Sequence, residues 1–234
     1  MRSSRTEAED KIHLATRPSH LLMCLAVLAY AGLMLPHRPA AEAEDAPSFR
    51  DLRYRGTIPQ TTDYSCGAAA VACLLQVYYG IPATEEQILE LAEDQMIARG
   101  EEPGVDRGLT AYDLRAASGI KGLPLAGYGL TLDELADYFQ RGGLPLIAHV
   151  TRPQLHYLIV LGMASGHIML ADPGWGRTIV PLEDLEGVRA MSGVVLVPLP
   201  NAEQTSHVRR EQELALEWMR SRLSQLGRMR ERMP

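Results

Sequence analysis

Residues 60–70 read QTTDYSCGAAA, and this stretch is the starting point for the fold. A polar run ends at Ser65, and small and apolar residues then continue to residue 79, before Gly80. This pattern predicts a helix that begins at Cys66. A cysteine at a helix N-terminus lies at the positive end of the helix dipole, which favours the thiolate. We therefore expect a reactive thiol at Cys66, with the small residues after it leaving room for a substrate chain.

Helical patterns come first along the chain, and strand patterns follow them. A helix is predicted from Thr84, with Ile88, Leu91 and Ile97 on one face, and capping boxes at Thr110 and Thr131 predict two more. Apolar runs at residues 144–150, 157–161, 168–171 and 194–197 are predicted strands. This order predicts an α+β fold in which a helical N-terminal half packs on an antiparallel β-sheet.

Charge and composition exclude several classes of function. The chain has 234 residues and a net charge of −6, but residues 44–200 carry 20 acidic and 11 basic residues, a net charge of −9. Nucleic-acid phosphates would be repelled by such a domain. The sequence contains no P-loop, no dinucleotide fingerprint and no Cys-x-x-Cys or close histidine pair. We therefore expect no cofactor, no metal and no nucleic-acid partner.

The first 43 residues have the pattern of an export signal. Four basic residues precede an uncharged apolar run over residues 21–35, and residues 41–43 read Ala-Glu-Ala. This small-x-small pattern is typical of signal peptidase sites, so we expect cleavage after Ala43 and a periplasmic or extracellular mature protein. An uncleaved membrane anchor is the alternative. We expect a domain over residues 44–200 to follow the signal.

Residues 201–234 form a charged segment with a different pattern. Leu216, Met219, Leu223 and Leu226 follow a heptad seam among charged residues. The seam predicts a C-terminal surface helix that packs on the domain or on a partner. All candidate catalytic residues precede this segment, so we expect it to be dispensable for the chemistry.

The mature chain has two cysteines, Cys66 and Cys73, on the same predicted helix. Seven helical residues place them about 10 Å apart along the axis, whereas a disulfide needs Cα atoms about 4.4–6.8 Å apart. We therefore expect both thiols to be free. Cys73 lies in an apolar run and is interpreted as a small core residue.

A base for Cys66 must come from His149, His156, His167 or His207. The two strands before and after residue 164 predict an antiparallel hairpin in which the numbers of opposed residues sum to about 328. His156 and Asp172 satisfy this sum, and opposed side chains on one face lie about 5 Å apart. The sequence thus predicts that Asp172 orients the imidazole of His156.

Three motifs together resemble peptidase family C39, which has a papain-like fold and is known for cutting leader peptides after a double glycine. They are Gln60 with CGAAA from Cys66, HYLIVLG from His156, and DPGWG from Asp172. The resemblance implies that Cys66 is the nucleophile, His156 the base and Asp172 the orienting group. It also implies that Gln60 and the backbone N–H of Cys66 form the oxyanion hole.

The sequence departs from the family pattern in two ways. Family members often carry an acidic residue before the cysteine, where Ser65 stands here. Better-known members are fused to an export transporter, and this sequence has no transmembrane bundle or nucleotide-binding motif, so we expect a stand-alone, exported version.

Three functions remain open from the sequence. The first is an exported thiol peptidase that cleaves a secreted or periplasmic peptide or protein, with cleavage after Gly-Gly as the family's expectation. The others are an amidase acting on cell-wall peptides and a peptide-binding or chaperone module without turnover. A partner from a secretion or functional-amyloid system is expected, because similar stand-alone proteins occur beside such systems. Intact Cys66, His156 and Asp172 favour the two enzymes.

Overall fold

The computed structural model describes residues 47–103 and 108–231, and the predicted export signal and its cleavage site lie outside them. In chain order, the helices are α1 (Phe49–Arg53), α2 (Cys66–Cys73), α3 (Glu85–Ala98), α4 (Ala111–Ile120), α5 (Leu132–Gln140) and α6 (Ala202–Glu231). The strands are β1 (Leu125–Gly129), β2 (Leu146–Val150), β3 (His156–Ala164), β4 (His167–Asp172), β5 (Gly176–Pro181) and β6 (Met191–Pro198). A π-helical turn, Leu74–Tyr78, continues α2, and a 3-10 turn, Leu182–Leu185, precedes β6.

The six strands form one sheet in the order β1-β6-β2-β3-β4-β5, and all neighbours are antiparallel. Helices α2, α3, α4 and α6 contribute to the core on one face of the sheet, whereas α5 and the 3-10 turn contribute to the core on the other. The predicted α+β fold, with its helical N-terminal half, antiparallel sheet and C-terminal helix, is therefore confirmed.

The central strands are buried on both faces of the sheet. In β3, Ile159 and Leu161 join the core beneath α2, whereas Leu158 and Val160 join the core beneath α5. Successive side chains of a strand point to opposite faces, so a strand covered on both sides needs apolar residues at every position. This explains why the predicted strands were continuous apolar runs without polar alternation.

The sequence analysis missed β1 and β5, which form the two edges of the sheet. Strand β1 reads LAGYG, and its two glycines weaken any strand signal. Strand β5 reads GRTIVP and is only partly buried along most of its length. Edge strands bury less surface than central ones, so their sequences carry less of the apolar pattern on which the prediction relied.

The capping boxes predicted at Thr110 and Thr131 are present, and Thr84 caps α3 in the same way. The predicted inner face of α3 was partly wrong. The buried residues include Ile88, Ala92 and Met96 at a spacing of four, whereas Ile97 is 59% exposed.

The β3–β4 hairpin differs from its predicted register. Its turn is centred on Ser165 and Gly166, both at positive φ, because Ala164 pairs with His167. A β-bulge at residue 161 shifts the register, so that Ile159 pairs with Ala171. In this register Asp172 lies opposite Leu158 and diagonal to His156. The prediction had placed Asp172 directly opposite His156, so the observed register differs from it by two residues. A shift of two residues keeps both side chains on the same face of the sheet.

The C-terminal helix α6 is built into the core. Its buried residues include Val208, Ala215 and Met219, which join the core on the α2 side of the sheet. The buried side chain of Gln212 donates hydrogen bonds to the carbonyl oxygens of Leu161 at 2.8 Å and Gly143 at 2.9 Å. Gln212 thus satisfies the carbonyl of the bulged residue in β3, and the helix supports the strand that carries His156.

This packing changes the expectation for the C-terminal segment. Deletion from residue 201 should lower the melting temperature by about 10 °C or more, because several buried apolar side chains and two buried hydrogen bonds are lost. Deletion from residue 226 is the matched control and should shift it by no more than about 2 °C, since Leu226 and Met229 are 61% and 62% exposed. Thermal unfolding followed by circular dichroism measures both. Equal melting temperatures for the two truncations would contradict this role of α6.

Candidate active site

The loop before α2 presents Cys66 at the start of the helix. Ser65 is the N-cap residue of α2, but among the described residues its side chain makes no capping hydrogen bond to the helix. Its hydroxyl instead donates to the carbonyl of Thr62 at 3.0 Å. The buried carboxylate of Glu85 accepts the backbone N–H of Thr61 at 3.0 Å and braces the same loop. The first-turn N–H groups of α2 are therefore not occupied by a side-chain cap.

The alanines after Cys66 serve the core and not the substrate. Ala68, Ala69 and Ala70 are 0% exposed, so the expectation that they make room for a substrate chain was wrong. Gly67 does line the open cleft that runs past Cys66. A Cβ at Gly67 would lie 2.9 Å from Leu114 of α4 and 3.2 Å from Tyr157 of β3, so Gly67 also allows α2 to approach its neighbours closely.

His156 and Asp172 are joined by a hydrogen bond. The Nε2 atom of His156 lies 2.8 Å from Oδ1 of Asp172, although the two residues are diagonal and not opposed. His156 is 8% exposed and Asp172 is fully buried. Because Nε2 faces the carboxylate, Nδ1 is the ring nitrogen left to interact with Cys66, and interaction with His156 lowers the pKa of the Cys66 thiol. The structure thus brings the three predicted residues together.

Asp172 has additional partners that hold it in place. Its Oδ1 atom accepts the backbone N–H of Gly174 at 2.9 Å and that of Trp175 at 3.1 Å. Its Oδ2 atom lies 3.3 Å from Nη1 of Arg189. Burial alone would raise the pKa of the Asp172 carboxyl, but the hydrogen bond to His156, the backbone donors and the charges of His156 and Arg189 lower it. Sequence reasoning missed Arg189, which follows Asp172 by 17 residues in a loop that carries no recognisable motif.

The surroundings of Cys66 and His156 favour an ion pair. Burial opposes ionisation of the thiol, but hydrogen bonds from His156 and from the backbone of Tyr157 and Gly67 lower the pKa of Cys66. Burial likewise opposes the imidazolium, but the hydrogen bonds and charges of Asp172 and Cys66 raise the pKa of His156 to about 9. Both shifts favour a thiolate on Cys66 paired with an imidazolium on His156.

Cys73 has the opposite environment. It is 0% exposed, and burial raises the pKa of its thiol to about 12. Within residues 47–103 and 108–231, both Cys66 and Cys73 are free thiols. A cysteine without access to solvent and without a thiolate is inert, so Cys73 serves packing.

Gln60 lies beside the His156–Asp172 pair. Its backbone N–H donates to the carbonyl of Pro173 at 3.0 Å, which ties the loop before Cys66 to the turn after Asp172. Its side-chain amide donates one hydrogen bond to the carbonyl of Thr62 at 2.8 Å. A glutamine amide carries two N–H donors, and the structure assigns one of them to Thr62. Its Oε1 atom is buried and has no hydrogen-bond partner in the part of the chain that the structure describes.

An open cleft of about 1120 Å³ runs past Cys66. One side is formed by residues 61–64 and 108–111, and the other includes His149, Gln154, Leu155, Tyr157 and Val194. Asp63 is exposed on this cleft. The cleft gives an extended peptide access to the thiol.

The other histidines lie apart from the His156–Asp172 pair. His149 is half-buried on the cleft wall, with Nδ1 2.9 Å from the Ser192 hydroxyl. His167 contacts the carbonyl of Ser165 within the hairpin turn, and His207 of α6 packs against Gly80. In the described ranges, no cluster of three or more His, Cys, Asp or Glu side chains could hold a metal ion. None of the described helices is both long and apolar enough to cross a membrane.

Several relatives of known sequence resemble this chain. An uncharacterized protein of Methanothermobacter thermautotrophicus is 31% identical over 141 residues, which cover 60% of this chain and 85% of that protein. Two proteins named probable functional amyloid protease FapD are each 25% identical. The match to the Pseudomonas fluorescens protein covers 76% of this chain and 77% of that protein, and the match to the Pseudomonas aeruginosa PAO1 protein covers 63% and 62%.

Solved structures share the fold. A double glycine motif protease from an AMS/PCAT transporter, crystallised with its leader peptide, has a TM-score of 0.50 and 25% identity, over 62% of this chain and 91% of that one. The peptidase domain of Streptococcus ComA has a TM-score of 0.50 and 21% identity, over 62% and 97% of the two chains. The Peptidase C39 family model matches residues 55–203, more than half of the chain. The chain therefore belongs to the C39 peptidase family.

Proposed function

We propose that the protein is an exported thiol peptidase that cleaves a secreted or periplasmic peptide or protein. The observation that carries the proposal is the 2.8 Å hydrogen bond between His156 and the buried Asp172, with Cys66 beside His156 on an open cleft. A binding module without turnover has no need of an activated thiol or of an imidazole held by a buried carboxylate.

The proposed reaction begins with attack by the Cys66 thiolate on the carbonyl carbon of the scissile bond. The oxyanion that forms accepts hydrogen bonds from the backbone N–H of Cys66 and from the Gln60 amide. The C–N bond breaks, His156 donates its proton to the leaving amine, and a thioester remains on Cys66. His156 then takes a proton from water, whose oxygen attacks the thioester. The C–S bond breaks, the acid is released, and the Cys66 thiolate and His156 imidazolium are restored. Asp172 holds the imidazole in position during both steps.

The substrate class follows from the family and its relatives. Family membership and the leader-peptide complex of a related domain support a peptide substrate. The double glycine motif named for that relative makes Gly-Gly the first cleavage sequence to test. The names of the two Pseudomonas relatives support a substrate from a functional-amyloid system. Export is supported by the signal-like sequence of residues 1–43, and N-terminal sequencing of the mature protein should begin at Glu44.

Turnover of peptides tests the function directly. We expect the mature protein to cleave a peptide library with a preference for Gly-Gly before the scissile bond, with products identified by mass spectrometry. The rate should fall above a pH of about 9, where His156 loses its proton, and should also fall at acid pH, where Cys66 gains one. Tight peptide binding with no products at any pH would instead support the binding-module alternative.

A further inference from the structure

The second oxygen of Asp172 leads to a residue that the family resemblance does not assign. Oδ1 already accepts three hydrogen bonds, whereas the contact that the described residues give Oδ2 comes from Nη1 of Arg189, at 3.3 Å. The Arg189 side chain is 19% exposed and the Asp172 side chain is fully buried. We propose that Arg189 is a positioning residue, which fixes the Asp172 carboxylate and thereby the His156 imidazolium.

The backbone of Arg189 is held firmly enough for this role. Its N–H donates to the carbonyl of Asp184 at 2.8 Å, and its carbonyl accepts the N–H of Thr151 at 3.2 Å and that of Arg152 at 3.0 Å. These bonds attach it to the 3-10 turn on one side and to the segment between β2 and β3 on the other. That segment leads to Gln154 and Leu155 on the cleft wall. Arg189 therefore connects the substrate-facing loop to the carboxylate.

The guanidinium is placed for Asp172 rather than for general packing. Its Nε atom is buried and has no hydrogen-bond partner within the described ranges. A partly buried cation with an unsatisfied N–H is costly, so the ion pair with Asp172 must offset that cost. The order of the residues supports the same role. In the ionised site that we propose, Cys66, His156, Asp172 and Arg189 alternate in charge as thiolate, imidazolium, carboxylate and guanidinium.

Two consequences follow if Arg189 is neutralised. The Asp172 carboxylate loses the partner that fixes its second oxygen, so it holds the imidazolium less well. Loss of a nearby positive charge also favours protonation of the neighbouring groups, so the pKa of Cys66 should rise. His149 and Tyr157 are further titratable groups on this side of the cleft. Burial and the charge of His156 lower the pKa of His149, and burial and the charge of Cys66 raise the pKa of Tyr157 to about 12. Both side chains are unchanged by substitution at Arg189.

The test measures the rate at which iodoacetamide alkylates Cys66 as a function of pH. The reaction is monitored by mass spectrometry of the intact protein. This readout does not require peptidase turnover, so it can fail or succeed independently of the proposed function on which the inference rests. We expect Arg189→Met to move the midpoint of the Cys66 profile upward by about half a pH unit or more, and Arg189→Lys to leave it within about 0.2 units. Arg141→Met, at an exposed ion pair with Asp137, is the matched control and should move nothing.

Kinetics on a cleaved peptide give the second readout. We expect kcat of Arg189→Met to fall about tenfold while KM stays within about threefold, because the carboxylate acts on the imidazole and not on the substrate. An unchanged alkylation midpoint in folded Arg189→Met protein would overturn the proposal. Should that variant not fold, Arg189→Gln replaces it. Failure of both to fold would assign Arg189 to stability alone and would also overturn the proposal.

Discussion

Cys66→Ala is expected to abolish peptide cleavage, with a loss of about four orders of magnitude or more in kcat/KM. Without the sulfur there is no nucleophile and no thioester, and a residual rate could come only from water in the oxyanion site. The fold should survive, because Cys66 is a small side chain at the start of α2 and its removal should cost on the order of 1 kcal/mol. Steady-state kinetics and a thermal melt measure the two effects.

Cys73→Ala is the matched control for this variant. Cys73 is the same residue type on the same helix, but it is completely buried and its thiol pKa is raised to about 12. Its removal should leave kcat/KM within about twofold and should lower the free energy of unfolding by about 1 kcal/mol. Loss of activity in Cys73→Ala with activity retained in Cys66→Ala would reverse the assignment of the nucleophile.

Asp172→Asn is expected to lower kcat by about two to four orders of magnitude while the protein stays folded. An amide cannot stabilise the imidazolium as a carboxylate does, and it can hold the imidazole in the wrong tautomer. The 2.8 Å hydrogen bond between His156 and Asp172 and the raised pKa of His156 both depend on the charge of Asp172. The high-pH limb of the rate profile should therefore move downward from about 9, which a pH series of kcat/KM would detect.

Asp63→Asn is the control for removal of a carboxylate near the thiol. Asp63 is exposed on the cleft, three residues before Cys66, and does not contact His156. We expect Asp63→Asn to change kcat by no more than about fivefold. A larger change, if one occurs, should be in KM. Equal losses of kcat in the two variants would show that charge in the cleft matters and that orientation of His156 by Asp172 does not.

The helix start at Cys66 and the contact between His156 and Asp172 were predicted from short-range patterns. A helix start at Cys66 needs only the change from polar to small apolar residues. The pairing of His156 with Asp172 needs only a hairpin, because an error of two residues in the register preserves the face of the sheet. The observed turn and the bulge at residue 161 shift the register by two residues from the predicted one. His156 and Asp172 are therefore diagonal neighbours and not directly opposed, but they remain in contact.

The parts that were missed depend on contacts between distant segments. Arg189 reaches Asp172 from an irregular loop, and no periodicity marks such a contact. The role of Gln212 depends on a β-bulge in β3 that no sequence pattern predicts. The packing role of Gly67 was missed because its close neighbours, Leu114 and Tyr157, come from elements far along the chain. Motifs pointed to the proposed reacting groups, whereas the residues that support them could be found only from the fold.

The most direct test of the account is the rate at which Cys66 reacts with iodoacetamide at pH 6, located by peptide mapping. At this pH an ordinary thiol is almost entirely protonated and reacts slowly. We predict that Cys66 of the wild-type protein reacts at least about tenfold faster than Cys66 of His156→Gln, while Cys73 stays unmodified. Equal rates in the two folded proteins, or modification of Cys73 before Cys66, would contradict an activated Cys66–His156 pair.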